Sequence, residues 1–319
     1  MAQPMLSIRD LNVEYYTRRG QVRAVNDASF TLAKRSTIAI VGESGCGKST
    51  LGFSILRLVP PPGRIVKGRI EFDGMDLLSQ PDDKMRAIRG AQIAMIFQDP
   101  MTSLNPVLKV QDHFVELFET HNPNLRREEA ISRACKLLDT LGIGRERVRD
   151  YPHQFSGGMR QRVMIGLALA LGPKLVIADE PTTALDVIVE AQILELLKKL
   201  KQEYGLTLIL ITHNIGIVAE MADLVAVMYA GKIVEIGPTG EIFENPLHPY
   251  TKGLLDSAPD ITNLEQSMRP IHGTPPDLIN PPTGCKFHPR CPRAFEKCLN
   301  REPSLIQRNE RRVACHLYE

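Results

Sequence analysis

Gly42-Glu43-Ser44-Gly45-Cys46-Gly47-Lys48-Ser49 sets glycines, a lysine and a hydroxyl at the Gly-x4-Gly-Lys-Ser spacing of a phosphate-binding loop, and Thr50 follows directly. Each residue type has a task there. Glycines let the backbone wrap an anion with its N–H groups turned inward. A helix starting at the loop's end points its positive dipole end at that anion. Lys48 can reach terminal phosphates, and the Ser49 hydroxyl is a ligand for Mg²⁺. Both flanks fit, because Thr37–Val41 reads as a buried strand and Thr50–Arg57 as a helix. The alternative, an ordinary glycine turn before a helix, does not account for the lysine, the serine and both flanks. Residues 42–50 are therefore predicted to hold a nucleoside triphosphate.

Two carboxylates complete the chemistry. Leu175-Val176-Ile177-Ala178-Asp179-Glu180 is an apolar strand ending in acids. Asp179 would hold Mg²⁺, directly or through water, and Glu180 would orient and deprotonate the attacking water. Phosphoryl transfer asks mainly for positioning and charge stabilisation, so a few such groups suffice. A further anion site is predicted at Ser156-Gly157-Gly158, where two glycines after a serine open a long apolar helix. One triphosphate hardly needs two such sites from one chain. A plain Gly-Gly helix cap is the competing reading for the motif taken alone.

These groups need a scaffold. Apolar residues in Leu6–Tyr15 predict an opening strand with a slip near Asp10, followed by a turn at Arg18-Arg19-Gly20 and strands at Ala28–Leu32, Arg69–Phe72 and Ile93–Phe97. From about Met101 to Gly172 apolar residues recur at spacings of three and four, which reads as a helical insert. Strand and helix then alternate: Lys174–Asp179, a helix carrying Val189, Ile193, Leu196 and Leu200, Leu206–Ile211, Asn214–Met221, Leu224–Met228, and Lys232–Ile236 after the Ala230-Gly231 hairpin. Alternation of this kind argues for a largely parallel sheet covered on both faces. From Asn245 onward proline is so dense that regular helix or central strand is not expected.

Composition bounds the function. The 319 residues, 43% of them apolar, can bury a substantial core. Net charge is +2, with 39 basic and 37 acidic residues, which gives no support to bulk nucleic-acid binding. Met1-Ala2-Gln3-Pro4-Met5 lacks a basic and an apolar signal region, so no signal peptide is expected. The longest apolar stretches, such as Val163–Leu171, fall short of the roughly 20 residues a membrane span needs. A cytosolic chain, or one held at a membrane by partners, is the expectation. In a reducing cytosol the six cysteines are better metal candidates than disulfide candidates.

Phe155-Ser156-Gly157-Gly158-Met159 resembles the signature motif of ATP-binding cassette (ABC) ATPases, with Met159 where glutamine is commoner. In that family the signature of one subunit caps the ATP on another subunit's P-loop. Further positions are similar. Gln98 resembles the Q-loop glutamine, a contact for Mg²⁺ and the attacking water, and Ala184-Leu185-Asp186 resembles the D-loop. His213 resembles the switch histidine that meets the γ-phosphate, although Asn214 stands where the family usually has Asp. Tyr15 resembles the adenine-stacking aromatic, with Tyr16 as the alternative. The resemblance implies a P-loop NTPase α/β core over residues 1–100 and 173–244, a helical signature subdomain over 101–172 and a C-terminal extension over 245–319.

Gln98–Pro106, Tyr151–Met159, Asn245–Thr251 and Gly284–Pro292 look like the ATPase subunits of dipeptide, oligopeptide and nickel importers. That likeness implies ATP and Mg²⁺ as ligands, with Ser49, Gln98 and Asp179 on the metal. It also implies a second ATPase subunit, two permease subunits, an extracytoplasmic binding protein, no nucleic acid, and a place at the cytoplasmic face of a membrane. Peptide is the expected solute and nickel the alternative. A soluble ABC ATPase acting on DNA or the ribosome ranks lower, because the chain has one P-loop, no sustained heptads and no basic excess. A metal-sensing regulator is supported only by the cysteines. Cys285, Cys291, Cys298 and Cys315, separated by five, six and sixteen residues, lack the close pairs common in zinc sites and suit a [4Fe–4S] cluster, which some members of this subfamily carry. Zinc and unligated thiols are the alternatives, and Cys46 and Cys135 are not expected to be ligands.

Overall fold

The computed structural model describes residues 3–99, 103–183, 185–257 and 271–319. Met1, Ala2, Pro100, Met101, Thr102, Ala184, Pro259 and Pro270 of the sequence reading lie outside the described residues. In chain order, β1 (Leu6–Thr17), β2 (Gly20–Leu32) and β3 (Thr37–Val41) lead into α1 (Lys48–Ile55), followed by β4 (Gly63–Phe72) and β5 (Met75–Asp76). Next come α2 (Asp82–Ile88), β6 (Ile93–Ile96), α3 (Val110–His121), α4 (Arg127–Thr140), α5 (Gly157–Leu169), β7 (Leu175–Asp179), α6 (Val187–Tyr204) and β8 (Thr207–Ile211). The chain ends through α7 (Ile215–Met221), β9 (Leu224–Tyr229), β10 (Lys232–Pro238), α8 (Thr239–Glu244), α9 (Pro249–Asp256), α10 (Glu296–Asn300), β11 (Ile306–Arg308) and β12 (Arg311–Val313). It divides into two compact units, Met1–Ser79 with Leu210–Glu319, and Gln80–Ile209.

In the first unit β1 lies between β2 and β4 in an antiparallel sheet of order β2-β1-β4-β5. Asp10 takes a φ of 46°, and the β1–β2 register shifts between Ile8 and Leu11. This is the slip that the apolar pattern predicts. Strand β3 is buried at all five residues, as expected of a parallel strand covered on both faces. It pairs in parallel with β9, Ile38 opposite Leu224 and Val41 opposite Val227, and β9 continues antiparallel into β10 and then β12. Ala39, Val41, Val225, Val227, Tyr229, Tyr250 and Phe287 share one core, so the C-terminal extension is built into the strands that carry the loop.

In the second unit β6 and β7 pair in parallel, with Ile93 opposite Leu175 and Ile96 opposite Ala178. Helix α4 buries Ala130, Ala134 and Leu138, one stripe at spacing four, and α3 buries Val110, Phe114, Val115 and Phe118. Each large side chain so buried contributes about 1.5–3 kcal/mol. Helix α5 is buried on most of its surface, including the amide-bearing Gln161.

One expectation needs correction. The proline-dense tail does contain a regular helix, α9, which starts at Pro249. Proline is excluded from helix interiors but fits the first helical position, where its missing N–H costs nothing. His248 caps that helix, its Nδ1 accepting from the Tyr250 N–H at 3.0 Å. Among the described residues no helix is long and apolar enough to cross a membrane.

Candidate functional site

The loop 42–47 leaves β3 and turns directly into α1. Gly42 has φ 153° and Gly47 φ 104°, backbone that side chains rarely adopt. A Cβ at Gly42 would lie 2.2 Å from the Met228 carbonyl oxygen, and one at Gly47 2.0 Å from that of Ala24. The loop is thus pressed against the backbone of neighbouring strands β9 and β2, and only glycine fits. Gly47 caps α1 without a side-chain bond, and the first turn of α1 holds no acid. The N–H groups of Ser44, Gly45 and Gly47 donate to no acceptor among the described residues. Uncapped amides at a helix N-terminus are what an incoming phosphate requires. Lys48 is buried and donates from Nζ to the carbonyls of Gly42 at 2.8 Å and Glu43 at 3.0 Å, which holds the ammonium over the loop. Cys46 is buried beside it, and burial pushes its thiol pKa up.

Around the loop, Tyr15 is half-buried, with its hydroxyl 3.3 Å from Thr50 Oγ1. Tyr16 is exposed and donates to Glu14 instead. The structure therefore puts Tyr15, not Tyr16, beside the loop's helix. His213 is exposed just past β8. Asn214 caps α7, its Oδ1 accepting from the N–H groups of Gly216 at 3.0 Å and Ile217 at 3.4 Å. An aspartate would make the same cap, which explains why asparagine serves here.

The second unit carries the acids. Asp179 ends β7 at 2% exposure. Glu180 follows with a φ of 45°, a left-handed backbone that turns its side chain sharply off the strand. Its Oε2 accepts from Gln98 Nε2 at 3.0 Å and from Thr183 Oγ1 at 2.9 Å. Gln98 and Glu180, 82 residues apart, are thus brought together, and the amide oxygen of Gln98 is the end that would face a cation. In the second unit Asp179 and Gln98 offer a carboxylate and an amide oxygen, and in the first Ser49 offers a hydroxyl; each is a hard oxygen donor of the kind Mg²⁺ selects.

Ser156 is the N-cap of α5, its Oγ accepting from the Met159 N–H at 3.3 Å. Arg147 braces this turn, stacking 4.5 Å over the Phe155 ring and donating to the Gln154 carbonyl at 3.0 Å. A Cβ at Gly158 would meet Val189 Cγ1 at 2.4 Å, so the glycine permits close approach of α6. Of the D-loop resemblance, Asp186 caps α6 by accepting from the Val189 N–H at 2.9 Å. Val187 and Ile188 just after it are 80% and 73% exposed.

The metal reading of the tail is corrected. Among the described residues no group of three or more His, Cys, Asp or Glu side chains is placed to hold a metal ion. Cys285, Cys291, Cys298 and Cys315 therefore form neither the [4Fe–4S] site that their spacing suits nor the zinc site that is its alternative. Burial pushes the Cys285 thiol up to about 11, with the nearby Cys298, Cys315 and Cys291 adding to the rise, and burial raises the thiols of Cys291 and Cys315 as well. Packing and hydrogen bonds hold the segment instead. The Cys285 N–H donates to the Cys298 carbonyl at 2.9 Å. Phe287 packs on Tyr229 and Tyr250 with ring centroids 5.2 and 5.3 Å away. Buried Glu235 accepts the N–H groups of Leu247 and His248, both at 2.9 Å.

Sequence reasoning missed two residues that touch the loop. The Tyr250 hydroxyl accepts from the Glu43 N–H at 2.9 Å. Arg290 holds the Glu43 carboxylate with two bonds, of 2.7 and 2.9 Å. Nothing local in the sequence announces partners 207 and 247 residues away.

Known proteins align with both regions. A family model described as ABC transporter matches residues 25–183, and one described as Oligopeptide/dipeptide transporter, C-terminal region, matches residues 234–298. The chain is 49% identical to the dipeptide transport ATP-binding protein DppD of Bacillus subtilis, covering 99% of this chain and 96% of that one. It is 47% identical to the oligopeptide transport ATP-binding protein OppD of Salmonella typhimurium, covering 95% and 90%. Among solved structures it is similar to the ATP-binding cassette MJ0796, in a dimeric post-hydrolysis state bound to ADP and Pi. That match has a TM-score of 0.66 and 27% identity over 74% of this chain and 99% of that one.

Proposed function

The chain belongs to the ABC transporter ATP-binding proteins, in their dipeptide and oligopeptide branch, and we propose that it hydrolyses ATP to energise peptide import through a membrane transporter. The ATPase reading rests above all on the loop 42–49, with its uncapped amides, buried Lys48 and the first turn of α1. The peptide reading rests on the matched C-terminal region and on relatives named for dipeptide and oligopeptide transport.

Each residue then has a task. The amides of residues 42–50 cradle the phosphates, and Lys48 exchanges its loop carbonyls for the terminal phosphates. Tyr15 stacks on the base. Ser49, Asp179 and Gln98 would hold Mg²⁺, which would supply positive charge against the charge developing on the phosphate oxygens. Glu180 takes the proton of the attacking water, and His213 contacts the γ-phosphate. Ser156, Gly157 and Gly158 serve the ATP of a second ATPase subunit; the dimeric state of the similar cassette supports this. Two permease subunits and an extracytoplasmic binding protein complete the assembly, and the chain attaches peripherally to the cytoplasmic face.

The test is reconstitution. The chain is combined with its permeases, partner ATPase and binding protein in vesicles, and ATP-dependent uptake of a labelled dipeptide is compared with that of labelled nickel. Peptide uptake that disappears with Lys48→Ala is the expected result. Uptake indifferent to that change would overturn the ATPase reading, and nickel uptake without peptide uptake would overturn the solute.

A further inference from the structure

Arg290 belongs to the C-terminal extension, yet its guanidinium points into the first unit's core beneath the nucleotide loop. All five of its donor positions are engaged. Nε donates to the His272 carbonyl at 2.9 Å, and Nη2 to the Ile271 carbonyl at 3.4 Å and to Glu43 Oε1 at 2.9 Å. Nη1 donates to Glu43 Oε2 at 2.7 Å and to the Tyr229 hydroxyl at 3.4 Å. Its side chain is only 5% exposed, while that of Glu43 is 26% exposed. The geometry is the bidentate fork that arginine, and not lysine, offers a carboxylate.

Glu43 is the second residue of the loop that would receive four negative charges. Its carbonyl already accepts from Lys48, and its N–H is fixed by Tyr250 from the extension. A carboxylate one residue from the phosphate-binding amides opposes an anionic ligand unless it is compensated. A buried, fully hydrogen-bonded guanidinium supplies that compensation and also fixes the side chain's direction.

We infer that the C-terminal extension acts on the nucleotide site through Arg290, a positioning residue that turns the Glu43 carboxylate away from the phosphates and cancels its charge. The extension is thereby part of the ATP-binding apparatus, reaching it from 247 residues along the chain. This rests on the nucleotide reading of the loop. Removal of Arg290 has two separable consequences. The loop loses an anchor, and a bare carboxylate faces the ligand. One uncompensated charge within a side chain's length of the phosphates is worth roughly three- to thirtyfold in affinity, depending on local screening.

The experiment is calorimetric titration of the full chain with ATP and with ADP, in the presence of Mg²⁺, at low and high salt. The variants are Arg290→Gln, Arg290→Lys, Glu43→Gln, the Arg290→Gln/Glu43→Gln pair and Lys48→Ala. Arg290→Gln is expected to weaken ATP binding roughly tenfold at low salt. The loss shrinks at high salt and is smaller for ADP. Arg290→Lys loses less, and the double variant returns to within about threefold of the unaltered chain, because the charge in need of compensation is gone. A purely structural Arg290 would leave the double variant as weak as the single one, with no dependence on salt or phosphate number, and that result overturns the inference. So does unchanged ATP affinity in Arg290→Gln. Should that variant fail to fold, Glu43→Gln alone decides: ATP affinity equal to or tighter than the unaltered chain's supports the inference, and a loss above threefold refutes it. ATP binding that survives Lys48→Ala would overturn the loop assignment and this inference with it. A normal Lys48 effect beside a silent Arg290 overturns this inference alone.

Discussion

Glu180→Gln isolates the charge of the proposed base. The side chain keeps its length and one oxygen, so Gln98 and Thr183 retain an acceptor if the new amide turns its oxygen toward them. Both bonds fall from charge-assisted to neutral, a loss of about 0.5–1.5 kcal/mol each. Water partly offsets it, since all three residues lie at or near the surface. The fold should therefore lose at most about 2 kcal/mol by the same reckoning. Turnover loses far more. Removing a positioned general base costs roughly 10²–10⁴ in rate, or about 3–5.5 kcal/mol of barrier. ATP retention should hold or improve, because a negative charge has left the site. The assay measures steady-state hydrolysis in the assembled transporter, ATP retained on a filter, and the melting temperature of the isolated chain. Expected are hydrolysis down by at least a hundredfold, ATP retained in a closed pair of ATPase subunits, and a melting shift of a few degrees. Turnover within threefold of the unaltered protein refutes the role of Glu180. Loss of turnover together with loss of ATP retention assigns Glu180 to scaffolding instead. Glu180→Gly provides the control for strain: it relieves the φ of 45°, so a defect from distorted backbone would diminish while a defect from the missing base would persist.

Gly47→Ala forces a Cβ to within 2.0 Å of the Ala24 carbonyl at φ 104°. It is expected to cost about 1–3 kcal/mol of stability and most of the ATP affinity, so an unchanged melt and titration would refute the close-packed loop. Glu235→Ala orphans the N–H groups of Leu247 and His248 in a buried site; a loss of about 2–5 kcal/mol by denaturant unfolding is expected, with early proteolytic release of the extension, and a loss under 1 kcal/mol would refute it. Burial holds the His248 pKa down to about 3 from the usual 6.5, and Lys232 and Lys286 line the same small cavity. The native state therefore binds fewer protons than the unfolded chain, so this contribution is present above pH 6.5 and lost as pH falls toward 3. Stability should drop by roughly 2 kcal/mol between pH 7 and pH 5, and an equal pH slope in His248→Asn would refute the assignment.

The parallel strands were legible because burial on both faces writes continuous apolar runs. Thr37–Val41 is β3 as read, and Leu175–Asp179 needs only Lys174 removed. The outer antiparallel sheet was harder to read. Strand β2 starts at Gly20, eight residues before the apolar run at Ala28, because the short alternation Gln21-Val22-Arg23-Ala24 loses its period at Val25-Asn26 and Asp27 breaks it at φ 51°. Likewise β4 begins at Gly63 but shows its buried face only from Ile70. Local motifs such as the loop, the paired acids and the Ser156 cap could be read because their chemistry depends on spacing. Tyr250 and Arg290 could not be read as parts of the site, since an isolated tyrosine and arginine in a proline-rich tail carry no sign of a partner in a distant loop. The cysteines misled for the converse reason: their spacing allowed a cluster, but among the described residues no three metal-ligating side chains are placed to share an ion.

On the proposed reading, two glutamates differ in task because their environments differ. Glu43 meets a guanidinium through two short bonds, with its N–H bound to a buried tyrosine. A carboxylate so held is fixed in direction, and by our inference its charge is compensated where the phosphates would approach. Glu180 Oε2 accepts from an amide and a hydroxyl. Neutral donors of that kind orient a carboxylate without cancelling its charge, and the proposed base needs that charge to take a proton from water. Exchanging the environments should exchange the consequences. A cation placed opposite Glu180, as in Thr183→Lys, should depress its basicity and slow hydrolysis with ATP still bound, whereas loss of the cation opposite Glu43 should weaken ATP binding. Hydrolysis unaffected by Thr183→Lys would show that the neutrality of these donors is irrelevant to the reaction.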